Sequence, residues 1–158
     1  MNNDDALRYP IGKFTPQESY TAEEIKLNIG RIESLPSKIE EIAKSLSAAQ
    51  LATPYREEGW TALQVLHHLS DSHLNAYIRT KWTLTEETPL IKAYNEKDWA
   101  QTPETKFDPI ISITLLKALH AKWTALLYTL GADDLKKAFT HPETKKQVTL
   151  ERQIALYA

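Results

Sequence analysis

The stretch Thr21-Ala-Glu-Glu-Ile-Lys-Leu-Asn-Ile-Gly-Arg-Ile-Glu-Ser-Leu-Pro-Ser-Lys-Ile-Glu-Glu-Ile-Ala-Lys-Ser-Leu46 carries a sustained helical pattern. Its apolar residues recur at steps of three and four, which places them on one helical face; they are Ile25, Ile29, Ile32, Leu35, Ile39, Ile42 and Leu46. Thr21 and Glu24 form a capping-box pattern at its start. Pro36 does not shift the apolar phase, so we predict one kinked helix in preference to two helices meeting at a corner.

A second helix is predicted from Thr61 to about Glu86. Thr61-Ala-Leu-Gln64 repeats the capping-box pattern at its start. Residues 87–108 then form a long polar connection, with one short helical turn near Glu96. Connections of this length inside a compact domain are often functional or pack as structured lids.

A third helix is predicted to follow Asp108-Pro109, which places an N-cap residue before a proline in the first helical turn. Its apolar stripe consists of Leu116, Leu119, Trp123, Leu126 and Leu130. Gly131 is expected to end this helix as a C-terminal stop.

The two ends of the chain complete the predicted domain. Residues 1–20 contain two prolines and a glycine among polar residues, so we expect an irregular arm. Residues 132–148 are charged, and a short extended pair is expected around a turn at Thr140. Thr149 can cap a fourth helix, Leu150–Ala158. Residues 1–158 are therefore predicted to form a single all-α domain, an antiparallel helical bundle.

The composition is that of a globular domain with one sizeable core. Of the 158 residues, 42% are hydrophobic and 25% are charged, and the formal net charge is −2. This near-neutral balance argues against a nucleic-acid binder and against a polybasic membrane binder. The absence of cysteine excludes disulfides, thiolate metal sites and a cysteine nucleophile. The four glycines form no phosphate-binding motif.

The sequence shows no pattern of a targeting or membrane-spanning segment. The acidic start, Met1-Asn-Asn-Asp-Asp5, differs from the basic start of a signal peptide. The apolar stretch Ile110–Leu116 reaches Lys117 well before the ~20 residues that span a bilayer. We therefore expect a cytoplasmic protein with no membrane or nucleic-acid partner.

The main cluster of chemistry-bearing residues lies in the second helix, where three of the five histidines fall within residues 67–73. Histidine transfers protons near neutral pH and binds divalent metals. His73 shares the apolar face with Leu66 and Leu69, which predicts a core histidine. His67 points away from that face, which predicts a surface or groove position. His68 flanks the face, and its side chain points about 100° away from that of His67, so the two cannot readily bind one ion.

Other polar residues are weaker candidates. Asp71 lies one helical turn from His67 and His68, so it is a candidate for a base or for a support of the ligand. Ser70, Asp71, Ser72 and His73 have the residue types of a hydrolytic triad, but no nucleophile elbow surrounds them. His120 has no obvious partner and is expected to be structural or exposed. His141 precedes a proline in a turn.

The string Gly59-Trp-Thr-Ala-Leu-Gln-Val-Leu-His-His-Leu-Ser-Asp-Ser-His-Leu-Asn-Ala-Tyr-Ile-Arg79 resembles the DinB/YfiT-like family of metal-dependent hydrolases. Shorter strings resemble the same family; they are Tyr9-Pro-Ile-Gly12, Thr53-Pro-Tyr-Arg56, Leu84-Thr-Glu-Glu-Thr-Pro89, Leu119-His-Ala-Lys-Trp123 and His141-Pro-Glu143. Together they cover essentially the whole chain.

This resemblance implies a four-helix bundle in up-down-down-up arrangement that forms homodimers. It also implies a divalent ion, nickel or zinc, held by three histidines. The matching ligand on the second helix is His68, immediately before Leu69. The other two ligands of the family form a His-x3-His on the fourth helix, after a segment like Leu156-Tyr157. In such a site the metal lowers the pKa of a bound water or thiol and polarises the substrate.

The sequence departs from the family pattern at its end, because it stops at Ala158 and contains no His-x3-His. We expect a fourth helix truncated at this point; the alternative is a partner molecule that completes the site. Three functions stay open: a metal-dependent hydrolase, a metal-dependent S-transferase using a low-molecular-weight thiol, and a non-catalytic metal- or ligand-binding bundle. The expected partner is a small-molecule substrate that the sequence does not identify.

Overall fold

A computed structural model describes residues 3–158 as a helical bundle with a small hairpin. The helices are α1 (Asn3–Arg8), α2 (Ala22–Ser45), α3 (Ala48–Leu51), α4 (Ala62–Thr85), α5 (Glu96–Trp99), α6 (Ile110–Leu127), α7 (Ala132–Lys136) and α8 (Leu150–Tyr157), with a 3-10 helix at Pro103–Lys106. The strands β1 (Ala138–Thr140) and β2 (Gln147–Thr149) pair antiparallel. The bundle consists of α2, α4, α6 and α8.

The capping boxes predicted for α2 and α4 are both formed. The Thr21 hydroxyl accepts from the Glu24 amide at 3.2 Å, and the Thr61 hydroxyl accepts from the Gln64 amide at 3.1 Å. Helix α2 continues through Pro36, which is itself buried, so the prediction of one continuous helix is confirmed. The apolar stripe of α2 leaves the core before the helix ends: Ile42 is 52% exposed.

Helices α4 and α6 are parallel neighbours. Near their starts, the His67 ring is 2.8 Å from the Ser112 hydroxyl. Near their ends, the Trp123 indole donates to the Thr80 hydroxyl at 3.1 Å. A chain that leaves one helix and enters a parallel neighbour must return along the length of the bundle. This requirement explains the long connection between the two helices.

Helix α6 runs antiparallel to α2. Lys117 contacts Glu40 at 2.6 Å, and His120, further along α6, contacts the carbonyl of Ile32, which lies earlier in α2. The numbering therefore rises on one helix as it falls on the other.

Helix α8 runs antiparallel to α4. The Gln153 amide donates to the Ala76 carbonyl at 2.8 Å, whereas Tyr157, one turn later, lies 3.4 Å from Ser72. The bundle is thus up-down-down-up in the order α2, α4, α6, α8, which confirms the predicted fold class and arrangement.

The core is shared by all four bundle helices. Its central cluster consists of Ile25, Ile29, Ile32, Ala76, Trp123, Leu127 and Ile154. Trp123 is fully buried, and its indole nitrogen is satisfied by Thr80. By length and hydropathy α6 is the one described helix that could cross a membrane, but here its buried face packs against α2 and α4.

The structure differs from the sequence prediction at the end of α6 and in two short helices. Helix α6 ends at Leu127, and Gly131 instead precedes α7, where its amide donates to Asp134 at 3.4 Å. The segment after α2 contains α3, whose capping box at Ser47 was overlooked. The predicted irregular arm contains α1, while residues 1 and 2 of that arm lie outside the described residues.

The connection from α4 to α6 is anchored to the hairpin. The Ile91 amide donates to the Thr140 carbonyl at 3.2 Å, and the Thr140 amide donates to the Pro89 carbonyl at 2.8 Å. The predicted extended pair around Thr140 is therefore present and gains a third strand-like neighbour. This anchoring brings Tyr94 in the connection beside His141 in the hairpin turn.

Candidate functional site

Helix α4 presents His67, His68 and His73 in three different environments. The helix begins at a formed capping box, and residues one step apart on it point about 100° apart. As a result, adjacent His67 and His68 face different neighbours. What each imidazole can do depends on whether its ring nitrogens are already engaged.

His67 is a buried, fully bonded histidine. Its ring lies 2.8 Å from the Ser112 hydroxyl through Nδ1 and 3.2 Å from the Phe107 carbonyl through Nε2. A carbonyl only accepts, so Nε2 donates to Phe107, while Nδ1 forms the hydrogen bond with the Ser112 hydroxyl. The predicted surface or groove position of His67 was wrong, because the segment that enters α6 folds over it and leaves 3% of it exposed.

His73 is a core histidine, as predicted, and it is joined to His120. The Ile32 carbonyl accepts from His120 Nδ1 at 2.6 Å, so His120 Nε2 accepts in turn from His73 Nδ1 at 2.9 Å. Burial lowers the pKa of His73 to about 3, with the nearby His120 acting in the same direction. His120 was predicted to be either structural or exposed, and it is structural. Its partners are on α2 and α4.

His68 differs from both, because neither of its ring nitrogens forms a hydrogen bond within residues 3–158. Its half-buried ring packs against Trp60, with ring centroids 4.7 Å apart. Burial lowers the pKa of the imidazole, while the carboxylates of Glu96 and Asp71 partly oppose this shift. The neutral ring that results keeps a lone pair, which is the form that binds a metal.

Asp71 lies on the same side of α4 as His68 and is half-buried. Burial raises the pKa of its carboxyl, and Glu104 acts in the same direction, whereas His68 opposes the shift. The triad that residue types alone would allow does not form at Ser70, whose hydroxyl donates to the backbone carbonyl of His67.

Residues 3–158 do not bring together three side chains of the kinds that hold a metal ion. A catalytic zinc site takes three protein ligands and an open position, so the described residues do not by themselves make one. His68 has the chemistry of a single ligand. Helix α8 advances toward the His68 end of α4, since Gln153 contacts Ala76 and Tyr157 contacts Ser72.

Two clefts lie near His68. One, of about 710 Å³, is lined by Trp60 and includes Glu96 in its wall. The other, of about 560 Å³, is lined by Arg79, Tyr94 and His141 and shares Glu96 with the first. A third cleft, of about 440 Å³, lies elsewhere between α2 and α6; it is mainly apolar and has no histidine in its wall.

The comparisons with known proteins agree with this architecture. The sequence profile of the DinB superfamily matches residues 31–158. The chain belongs to the DinB superfamily. The solved structure of YfiT from Bacillus subtilis, described as having "an unusual four-helix bundle topology", matches with a TM-score of 0.94 and 47% identity, over 96% of this chain and 87% of that one.

Curated relatives are named as metal-dependent hydrolases. "Putative metal-dependent hydrolase YfiT" of Bacillus subtilis (strain 168) is 47% identical over 152 residues, which are 96% of this chain and 85% of the relative. "Putative metal-dependent hydrolase" of Bacillus cereus (strain 03BB102) is 48% identical over 96% of this chain and 87% of the relative. The family predicted from sequence is therefore confirmed, and its relatives are named as metal-dependent hydrolases.

The contribution of Arg79 and Tyr94 to the second cleft was not predicted from the sequence. Arg79 closes the string that carries the family resemblance, but its side chain gave no local signal of a site. Tyr94 lies in a polar connection whose path depends on the hairpin some 50 residues later. Helical periodicity within a segment does not predict a pairing between distant residues such as Ile91 and Thr140.

Proposed function

We propose that this DinB-superfamily protein is a divalent-metal-dependent hydrolase and that His68 supplies one ligand of its metal ion. The observation that carries the proposal is the state of His68: half-buried against Trp60, neutral, and with both ring nitrogens unengaged among the described residues. On the same helix, both ring nitrogens of His67 are hydrogen-bonded, and His73 is buried in the core with Nδ1 bonded to His120.

The remaining ligands would have to come from outside residues 3–158, in agreement with the direction of α8. The last turn of α8 lies beside Ser72, one turn from His68 on α4. A helix continuing on that path advances about 1.5 Å for each residue toward His68. This supports the resemblance, which places a His-x3-His after the segment Leu156-Tyr157; imidazole ligands suit nickel and zinc alike.

In this proposal Asp71 works beside His68. Its raised pKa and its position one turn away suit it to hold or accept a proton near the bound substrate. The Trp60 ring shields one side of the imidazole from water and limits its orientations. The small-molecule substrate, a homodimeric state and a cytoplasmic location remain predictions from sequence.

Metal content tests the proposal directly. The natural full-length protein, as its reading frame encodes it, is loaded with Zn²⁺ or Ni²⁺, desalted and measured by elemental analysis. We expect about one ion for each chain, loss of that ion in His68→Ala, and retention in Glu104→Gln, which changes an exposed carboxylate near Asp71. Unchanged stoichiometry in His68→Ala would remove His68 from the metal site.

Activity then separates the candidate reactions. Metal-loaded protein is assayed for hydrolysis of an activated ester and, separately, for consumption of cysteine with an alkyl halide, in which a sulfur–carbon bond forms as halide leaves. Hydrolysis that weakens in Asp71→Asn without loss of metal supports the proposal. Thiol consumption alone would favour the transferase, and a metal-bound protein inactive in both assays would favour a binding bundle.

A further inference from the structure

Three residues that line one cleft, Arg79, Tyr94 and His141, each carry a buried polar atom without a hydrogen-bond partner among the described residues. Within residues 3–158, the buried side-chain nitrogens and oxygens without a hydrogen-bond partner are Arg79 Nε, Tyr94 Oη and His141 Nδ1. All three belong to residues that line this cleft of about 560 Å³. Native structures pair nearly all buried polar groups, so three unpaired atoms on the residues around one cleft call for a polar partner there.

Two of these atoms are hydrogen-bond donors. Arg79 Nε–H has no acceptor capacity, since a guanidinium is always charged. Burial raises the pKa of Tyr94 to about 12, and Glu96 acts in the same direction, so the hydroxyl keeps its proton. The Ser72 hydroxyl opposes this shift but does not form a hydrogen bond of acceptable geometry with Tyr94 Oη. His141 Nδ1 can donate or accept according to its tautomer.

The guanidinium of Arg79 also lacks a counter-ion. Its recorded hydrogen bond is a long one, from Nη2 to the Lys92 carbonyl at 3.5 Å. In the part of the chain that the structure describes, no carboxylate lies within salt-bridge distance of it. A half-buried cation beside the Tyr94 hydroxyl suits an oxyanion, because arginine and hydroxyl groups bind carboxylates through charge-assisted hydrogen bonds.

The wall of the cleft restricts which oxyanion fits. Glu96 and Glu143 line it together with Arg79 and Lys97, so its charges nearly balance. A dianion such as phosphate would meet two carboxylates, whereas a single carboxylate matches the one unpaired guanidinium. We propose that this cleft binds the carboxylate group of a small organic ligand through Arg79, Tyr94 and His141.

This site lies beside the one that contains His68. Glu96 lines the cleft and also acts electrostatically on His68. The inference does not depend on the metal, since all three contacts belong to described residues.

The experiment is an NMR titration of the chelator-treated protein with pentanoate, and with pentanamide and inorganic phosphate as comparisons. We expect saturable shifts with pentanoate at millimolar concentration, and binding at least tenfold weaker for pentanamide and for phosphate. Equal binding of the amide, tighter binding of phosphate, or no saturable binding of pentanoate would overturn the proposal.

Variants identify the contacts. Arg79→Gln is expected to weaken pentanoate binding at least tenfold, and Tyr94→Phe about fivefold. Tyr94→Phe is also expected to leave the melting temperature unchanged or higher, because it removes a hydroxyl that has no partner in the free protein. Tyr128→Phe is the control, since its hydroxyl bonds Glu33 at 3.1 Å outside the cleft. Undiminished binding by Tyr94→Phe would contradict the assignment.

His68→Ala separates this inference from the proposed function. We expect it to bind pentanoate as the unaltered protein does while losing its metal. If the unaltered protein binds pentanoate but no metal, the carboxylate site stands and the metal proposal is refuted. Loss of metal binding and of pentanoate binding together in His68→Ala would instead contradict the independence of the cleft.

Discussion

His68 and His73 lie five residues apart on α4, yet their surroundings have opposite consequences. His73 is 5% exposed, and its Nδ1 donates to His120, which in turn donates to the Ile32 carbonyl. His68 is half-buried against Trp60, and neither of its ring nitrogens is bonded within residues 3–158. The first imidazole links three helices, whereas the second remains available to a ligand.

The difference shows that residue type and helical position do not by themselves identify a functional histidine. What decides is whether residues of other elements already bury the ring and form hydrogen bonds with it. His67 demonstrates this most clearly, because it adjoins His68 but is bonded on both sides. Stability measurements test this difference. The buried, hydrogen-bonded histidines should contribute much to the free energy of unfolding, and His68 should contribute little.

His120→Leu should have the largest effect. The substitution leaves the Ile32 carbonyl and the His73 N–H without partners in the core, and each unpaired buried group costs about 1–3 kcal/mol. We expect the free energy of unfolding to fall by about 3 kcal/mol, measured by urea denaturation followed by circular dichroism. A loss below ~1 kcal/mol would mean that the chain of bonds from α4 to α2 is not structural.

His67→Ala should have the next largest effect. It removes the bonds to Ser112 and Phe107, and the lost imidazole leaves space beneath the segment that enters α6. We expect a loss of about 2 kcal/mol in the free energy of unfolding. Ser112→Ala, which removes one partner and keeps the ring, is the control and should cost about 1 kcal/mol.

The fold was largely predictable because its signals are local. Capping boxes at Thr21 and Thr61 and apolar residues at steps of three and four are properties of contiguous sequence. They located α2, α4 and α8 to within a residue or two. The end of α6 was missed because Gly131 is equally suited to precede a helix as to end one.

The state of each histidine was less predictable because it depends on distant partners. Ile32 and His120 are 88 residues apart, and His67 is covered by residues 40 and 45 positions later. Those contacts follow from the parallel packing of α4 on α6, which periodicity within one helix does not reveal. The cleft at Tyr94 was unpredictable for the same reason, because it forms only when the connection from α4 to α6 is anchored to the hairpin.

Acidification should destabilise the protein through the buried pair of His73 and His120. The folded protein holds the pKa of His73 near 3, against about 6.5 for an unfolded histidine, so between these values the unfolded chain binds the additional proton. Stability is therefore lost as the pH falls from 6.5 toward 3, by on the order of 1 kcal/mol for each pH unit. The measurement is urea denaturation at several pH values, compared with His73→Asn.

The asparagine variant keeps a donor near the position of Nδ1 and removes the titrating ring. Its stability should depend less steeply on pH over that interval, although carboxylates and His120, whose pKa burial also lowers, still contribute in both proteins. Parallel pH profiles for the two proteins would show that His73 is not kept neutral by the fold.

His68→Ala should have the smallest effect on stability, which is the other half of the comparison. In metal-free protein the variant loses the ring contact with Trp60 and no hydrogen bond within the described residues. Aromatic pairs of this kind contribute about 0.5–1.5 kcal/mol, so we expect a loss below ~1 kcal/mol by urea denaturation. A loss as large as that of His67→Ala would show that His68 is a structural residue, because a side chain kept available for a ligand should add little to the stability of the free protein.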